Sequence, residues 1–389
     1  MKARHIILLT AMAAELILFL YCLLRKSNHV TAGYICAVLS LILLICTGWL
    51  LLFPKITPIE TTGEYQIKRE DSFYTDTSRP ETYADDGSYR ELPVSFWYPA
   101  EYPETQNCPL AVFSHGSFGM KDSNETLYRE LASHGYVVCS IDHTYQCFST
   151  KLSSGKTIRL SGEFMKEIAA DSPQDKPEQS LSHFEKWMNI RTGDINFVLD
   201  TVIEKVSKES SELSVYDLID TSRICVMGHS LGGSAALGVG RQRGDIAAVI
   251  SLEAPFLCDI RGVDTDGDFI FEQSEYPVPI LSVYSDASWE HLREWKQYEE
   301  NARLLDMESD DIQNVYLSGI GHFSLTDLSL SSPFLTFIFD GFKTNYAPQE
   351  TVKKINEICL KFLDEAVKNL VSMDENSLLT GTRYVEICC

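Results

Sequence analysis

Positive charge is what this sequence has least of. Its 389 residues hold 33 Lys and Arg against 55 Asp and Glu, for a formal charge of −22, and the basic residues form no stripe. Contacts to nucleic-acid phosphates draw their affinity from clustered Lys and Arg, so the chain is not expected to bind nucleic acid. None of the 11 cysteines forms a C-x-x-C pair, which argues against both a zinc site and a disulfide framework. Cys388 and Cys389 end the chain without a C-a-a-X pattern and read as a frayed, inert terminus. There is no internal repeat. The acidic loop Asp264-Thr265-Asp266-Gly267-Asp268 has its glycine too early for an EF-hand and no glutamate at the twelfth position. It reads as solvated, and neither metal nor cofactor is expected.

What the sequence does have first is apolar length. Two runs, His5 to Leu24 and Thr31 to Phe53, match the ~20 residues that span a hydrocarbon core. A cleaved signal peptide would end in an A-x-A-like site, and none follows the first run. The two runs therefore read as a transmembrane hairpin over residues 1–57, with Glu15 in the first helix as a helix-packing contact. Arg25 and Lys26 in the connecting loop outweigh Lys55 for the second helix. That bias puts the loop in the cytoplasm and the bulk of the chain, residues 58–389, on the extracytoplasmic side.

After a polar stretch from Glu60 to about Asp86, with one strand at Tyr65 to Arg69, short apolar runs recur between turn residues. They are Val94 to Tyr98, Leu110 to Ser114, Tyr136 to Ile141, Ile224 to Met227, Ala247 to Leu252, Ile280 to Tyr284 and Val315 to Leu317. Continuous rather than alternating runs suit strands buried on both faces of a largely parallel sheet. Helical patterns lie between them at Leu127 to His134, Ile195 to Val206 and Trp289 to Leu305, so the expected architecture is a doubly wound α/β sheet. Residues 144–187 are too long for a plain loop and are expected to form a lid. An amphipathic helix is expected over 349–371.

The chemistry centres on Gly228-His229-Ser230-Leu231-Gly232-Gly233, where a strand runs through a tight turn into a small-residue helix. Glycine on both sides of a serine is what a strained nucleophile elbow requires, with Ser230 as nucleophile. A serine hydroxyl needs a base, and in the order Ser, acid, His only His291 and His322 follow Ser230. His291 lies in an expected surface helix, whereas His322 follows a strand in the glycine-loosened Gly319-Ile320-Gly321-His322 and is the better base. Glu253 and Asp286 both follow strands between the two and both qualify as the acid. Strand position alone slightly favours Asp286. The oxyanion hole is expected from the N–H groups of Leu231 and of Ser117, in Ser114-His115-Gly116-Ser117.

Together Phe113-Ser114-His115-Gly116, Leu131-Ala132-Ser133-His134-Gly135, the elbow and Gly321-His322-Phe323 resemble the platelet-activating-factor acetylhydrolase family, over roughly Glu91 to Gly341. The resemblance implies an α/β-hydrolase fold and a calcium-independent serine esterase that removes short or oxidised sn-2 acyl groups from phospholipids. It implies Ser230 as nucleophile, His322 as base, and the Ser117 and Leu231 amides as oxyanion hole. It also moves Glu253 ahead of Asp286, because the family takes its acid from the turn after the strand that follows the elbow helix. The family usually has aspartate there, so the longer glutamate is a departure. The expected function is hydrolysis of a lipid-like ester at a membrane surface. The alternatives are a lipase, polyesterase or thioesterase with the same machinery, or a catalytically dead scaffold.

Overall fold

The computed structural model describes residues 2–24, 30–103, 107–209, 212–307, 309–341, 347–368 and 385–388. Among the described residues nine strands form one sheet: β1 Ile67–Pro80, β2 Tyr89–Pro99, β3 Cys108–Ser114, β4 Val137–Ile141, β5 Ile219–His229, β6 Ile246–Leu252, β7 Ile280–Ser285, β8 Ile312–Ser318 and β9 Val385–Cys388, in the order β1-β2-β4-β3-β5-β6-β7-β8-β9. β2 runs antiparallel to both its neighbours, and every pair from β4 across to β9 is parallel. The apolar runs are continuous because each strand supplies both faces. Leu110 and Val112 of β3 and Ile224 and Val226 of β5 point into one core, and Ala111, Phe113, Cys225 and Met227 into the other.

Helices α5 (Pro177–Ser207) and α6 (Leu231–Gln242) cover the first face. α3 (Glu125–Ser133) and α9 (Pro348–Ala366) cover the second through Leu127, Leu131, Ile355, Cys359 and Phe362. Between α3 and α5 lies α4 (Gly162–Ala170), preceded by a hairpin of Ser149–Lys151 with Thr157–Arg159. Both fall in the 144–187 stretch. Of the helix expected over 349–371, residues 369–371 lie outside the described residues.

Three expectations are corrected. The single strand expected at Tyr65 to Arg69 is instead the 14-residue β1. It is an edge strand whose outer face is solvated, so its Asp, Ser and Thr carry no apolar signal. The helix expected from Trp289 to Leu305 is broken into the single turn α7 (Asp286–Trp289), a 3-10 turn at Lys296–Tyr298 and α8 (Glu299–Leu305). Leu292, Tyr298 and Leu305 there pack with Tyr284 in a small core of their own, which a straight helix does not permit. The C-terminal end is not frayed: β9 pairs with β8 from Val315–Val385 to Ser318–Cys388, while Cys389 lies outside the described residues.

At the other end, α1 (Lys2–Leu24) and α2 (Val30–Leu52) contain stretches long and apolar enough to cross a membrane. Glu15 of α1 accepts a hydrogen bond from Thr47 of α2 at 2.9 Å. Arg25, Lys26 and the rest of the connecting loop lie outside the described residues. Beyond α2 the chain is soon stitched to the body. Thr62 N donates to Glu130, Gly63 N to Ser133 Oγ and Tyr65 N to Ser133 O. A Cβ on Gly63 would sit 2.1 Å from that Ser133 carbonyl, so only glycine fits the seam.

A buried ion cluster sits where β2, β4 and α5 meet. Arg90 grips Asp194 with two bonds of 2.7 and 2.6 Å and also bonds Glu81 and the Thr144 carbonyl. Asp194 takes a further bond from His143 Nδ1 at 2.8 Å, and His143 Nε2 meets Ser114 Oγ at 2.8 Å. Burial opposes ionisation of Asp194, but Arg90 and His143 outweigh it and hold the carboxyl well below the usual carboxylate range. Removing one partner of such a cluster strands the others without water. Asp194→Ala is therefore expected to cost about 3–5 kcal/mol of stability, measured by urea denaturation followed by tryptophan fluorescence.

Candidate active site

Every residue singled out for chemistry lies at the C-terminal end of a parallel strand, where open α/β sheets place their sites. Ser117 follows β3, Ser230 follows β5, Glu253 β6, Asp286 β7 and His322 β8. The turn at Ser230 is strained, with φ 54° and ψ −127° in a region few side chains adopt. It is possible because the residues two positions away on either side, Gly228 and Gly232, have no side chain. A Cβ on Gly228 would lie 2.3 Å from the Gly232 backbone, and one on Gly232 would lie 2.0 Å from Ser114 O and 2.5 Å from His115 O. The elbow and the loop after β3 are thus in backbone contact.

Glu253 also has a left-handed backbone, φ 55°, and is almost completely buried. Its Oε2 accepts from His322 Nδ1 at 3.0 Å. Ser285 donates through its N–H at 3.0 Å and its hydroxyl at 2.7 Å, and Ser288 through its N–H at 3.1 Å and its hydroxyl at 2.5 Å. Burial alone would raise the Glu253 pKa, but the bond and charge of His322 and the serine hydroxyls outweigh it and bring it down to about 2. Asp286 is placed elsewhere. Its Oδ1 accepts from Tyr316 OH at 2.7 Å and Gly319 N at 2.8 Å, holding the base of the histidine loop, and it has no bond to His322 among the described residues. His291 stacks on Trp295 in the turn after α7, and its side chain bonds Glu294 rather than Glu253.

The histidine loop is fixed from two further sides. His229 Nε2 donates to the His322 carbonyl at 3.1 Å, and burial, then the neighbouring His322, brings the His229 pKa down to about 3, so its ring is neutral. Asp340 accepts from Phe323 N at 2.8 Å and from the Ser324 hydroxyl at 2.7 Å. Neither His322 Nε2 nor the Ser230 hydroxyl has a hydrogen-bond partner among the described residues, a looseness common before substrate binds. The Ser117 N–H likewise donates to nothing there. Beside His322 and Glu253 opens a cavity of about 410 Å³, walled by Phe184, Pro255, Leu257, Trp295 and Tyr298, with Asp171 and Gln297 as polar members. Ser285, Ser288, Asp340 and His229 escaped sequence reading. Only the serines that flank Asp286 left a local signal.

A family model described as platelet-activating factor acetylhydrolase, isoform II, matches residues 91–381. The chain belongs to the platelet-activating factor acetylhydrolase family. It is 24% identical over 311 residues to a platelet-activating factor acetylhydrolase from Gallus gallus, covering 72% of this chain and 68% of that one. Cutinase 1 from Thermobifida cellulosilytica is 31% identical over 152 residues, 39% of this chain and 42% of the cutinase. A ferulic acid esterase structure from Streptomyces cinnamoneus superposes with a TM-score of 0.60 at 19% identity, covering 82% of this chain and 96% of that one. This platelet-activating factor acetylhydrolase family member has the α/β-hydrolase fold and is a carboxylic ester hydrolase of the serine-esterase type.

Two outcomes follow from the geometry. A Cβ at residue 232 meets backbone on both sides, so Gly232→Ala is expected to displace the elbow against the loop after β3. Misplacement by about 1 Å costs on the order of 10² in turnover, checked as kcat on a p-nitrophenyl ester with circular dichroism as the folding control. The second concerns pH. The Glu253 carboxyl is held down to about 2 in the folded chain, below the ordinary glutamate value of about 4.5, so its ionised form contributes stability that is fully present above about pH 4.5 and lost as pH falls towards 2. The stability gap between wild type and Glu253→Gln should therefore be smaller at pH 3 than at pH 6 in urea titrations.

Proposed function

We propose that Ser230, His322 and Glu253 form a catalytic triad that hydrolyses an acyl ester of a lipid presented at a membrane surface. The observation that carries the reading is the Glu253–His322 bond of 3.0 Å beside a strained serine elbow. With Nδ1–H held by the carboxylate, His322 presents Nε2 as the base. It takes the Ser230 proton as Oγ attacks the substrate carbonyl, and the oxyanion that forms is met by the N–H groups of Ser117 and Leu231. Collapse breaks the ester C–O bond, and His322 returns the proton to the leaving alcohol. Water, deprotonated by the same imidazole, then attacks the acyl-enzyme and restores Ser230. Glu253 orients the ring and stabilises its charged form.

Membrane presentation is supported by α1 and α2, each apolar enough to span a bilayer. We take them as a multi-pass anchor with the catalytic body on the extracytoplasmic side, and residues 144–187 as a cap over the site. The lipid preference, a short or oxidised sn-2 acyl group, is supported by family membership and by a cavity of about 410 Å³ beside His322. A second reading, hydrolysis of a polyester or aryl ester, is favoured by the similarity to a cutinase and to a ferulic acid esterase. A panel of phospholipids of graded sn-2 chain length, p-nitrophenyl esters, a polyester and a feruloyl ester separates the two.

Ser230→Ala is expected to abolish ester hydrolysis and fluorophosphonate labelling while circular dichroism is unchanged, because alanine fits the elbow and the nucleophile is gone. Turnover near the wild-type rate would sink the mechanism. For the acid, Glu253→Gln is expected to lower kcat by on the order of 10⁴. Asp286→Asn keeps an acceptor oxygen for Tyr316 and Gly319 and should stay within about tenfold of wild type. The reverse order would make Asp286 the acid.

A further inference from the structure

A peptide N–H is aimed by whatever holds the carbonyl on the other side of its plane, since the two point in opposite directions in a trans peptide. For the Ser117 N–H that carbonyl belongs to Gly116, and two donors hold it. They are His115 Nδ1 at 2.7 Å and Gly119 N–H at 3.1 Å. A carbonyl only accepts, so Nδ1 carries the ring proton. Nε2 is then an acceptor, and it faces the main-chain N–H of His143 at 3.3 Å. Both ring nitrogens have the partner that one neutral tautomer requires. The ring is completely buried, and burial, then the Arg191 guanidinium, pushes its pKa well below the ordinary histidine value.

The preceding peptide is held as firmly. The His115 carbonyl accepts from Arg191 Nη1 at 2.6 Å, and Arg191 Nε is fixed by Gln146 at 2.6 Å. Ser114 is tied through His143 to Asp194 and so to Arg90. On the other side the loop has no slack, because a Cβ on Gly116 would lie 2.8 Å from His229 Nδ1 and 3.1 Å from Ser230 Cβ.

We propose that His115 is a positioning residue for acyl transfer, whose Nδ1–H fixes the Gly116–Ser117 peptide plane so that the Ser117 N–H faces the developing oxyanion. Arg191 holds the carbonyl one residue earlier and keeps that ring in register. The inference rests on the esterase reading of Ser230 and on Ser117 as an oxyanion donor. A ring that only filled space would need bulk at this position but no proton at Nδ1.

Asparagine and glutamine separate the two roles. The amide nitrogen of asparagine falls close to where Nδ1 sits, whereas that of glutamine reaches the place of Nε2 and leaves Gly116 O without its side-chain donor. The full-length chain in detergent is assayed on an ester and on the matching thionoester, whose sulfur is the weaker hydrogen-bond acceptor. His115→Asn is expected to keep kcat within about threefold of wild type. His115→Gln is expected to lose roughly 10² in kcat with KM within about twofold, and its preference for ester over thionoester should shrink about tenfold. An asparagine variant as slow as the glutamine one overturns the proposal. So does a glutamine variant whose loss lies in KM or whose ester preference matches wild type. If His115→Gln does not fold, His115→Asn decides alone: wild-type kcat and ester preference sustain the proposal, and a folded but slow variant overturns it. A wild-type chain inert towards every ester would instead overturn the esterase reading, and this inference with it.

Discussion

The contact on which the site depends is between two stretches of main chain. The carbonyls of Ser114 and His115 occupy the space where a side chain on residue 232 would begin. Because Gly232 has no side chain, the exit of β3 lies directly against the first turn of α6. Gly116, next to Ser117, is thereby brought against Ser230, where α6 begins at Leu231. The strain at Ser230 and Glu253 is tolerated because their strands pair inside a sheet buried on both faces. The parallel ladder is the frame, and the glycines let its loops converge.

A chain this acidic spends its few cations carefully. Arg90 and Arg191 are fully buried, and each is bonded to residues that set the loop after β3 or the strand ends around it. Ser114, His143 and Asp194 even line up hydroxyl, imidazole and carboxylate at 2.8 Å spacings. No solvent reaches these three residues, and substrate therefore cannot either. What separates this line from Ser230, His322 and Glu253 is access, because His322 and Glu253 border a cavity. One line braces the scaffold, and the other is the triad proposed above.

How much of this was legible in the sequence follows from where each signal resides. The central strands announced themselves because both of their faces are buried, and the elbow because the crowded turn at Ser230 requires glycine at 228 and 232. β1 was mostly hidden, since an edge strand with a wet outer face looks like a polar loop. β9 lay beyond a long unpatterned stretch. The break after Trp289 accompanies the packing of Leu292, Tyr298 and Leu305 with Tyr284, which helical periodicity does not record. Strand position slightly favoured Asp286, and only the family resemblance put Glu253 ahead of it. What distinguishes them is a left-handed backbone and four serine donors, visible only when β6 and β7 are side by side. The Arg90–Asp194 pair joins residues 104 positions apart, and no local motif encodes it.

The seam at Thr62, Gly63 and Tyr65 bears on how such an enzyme meets its substrate. It fastens the chain to α3, so only residues 53–61 separate the end of α2 from the seam, and within them the Thr57 carbonyl accepts from Gln349 Nε2 at 3.4 Å. Fully extended, that leash reaches about 30 Å. With the hairpin in a bilayer, the body would be confined to a thin layer above the lipid, and its search for substrate would be two-dimensional. The governing quantity is then the number of ester molecules per unit area of membrane, which a short leash turns into a high effective concentration without any gain in affinity at the site.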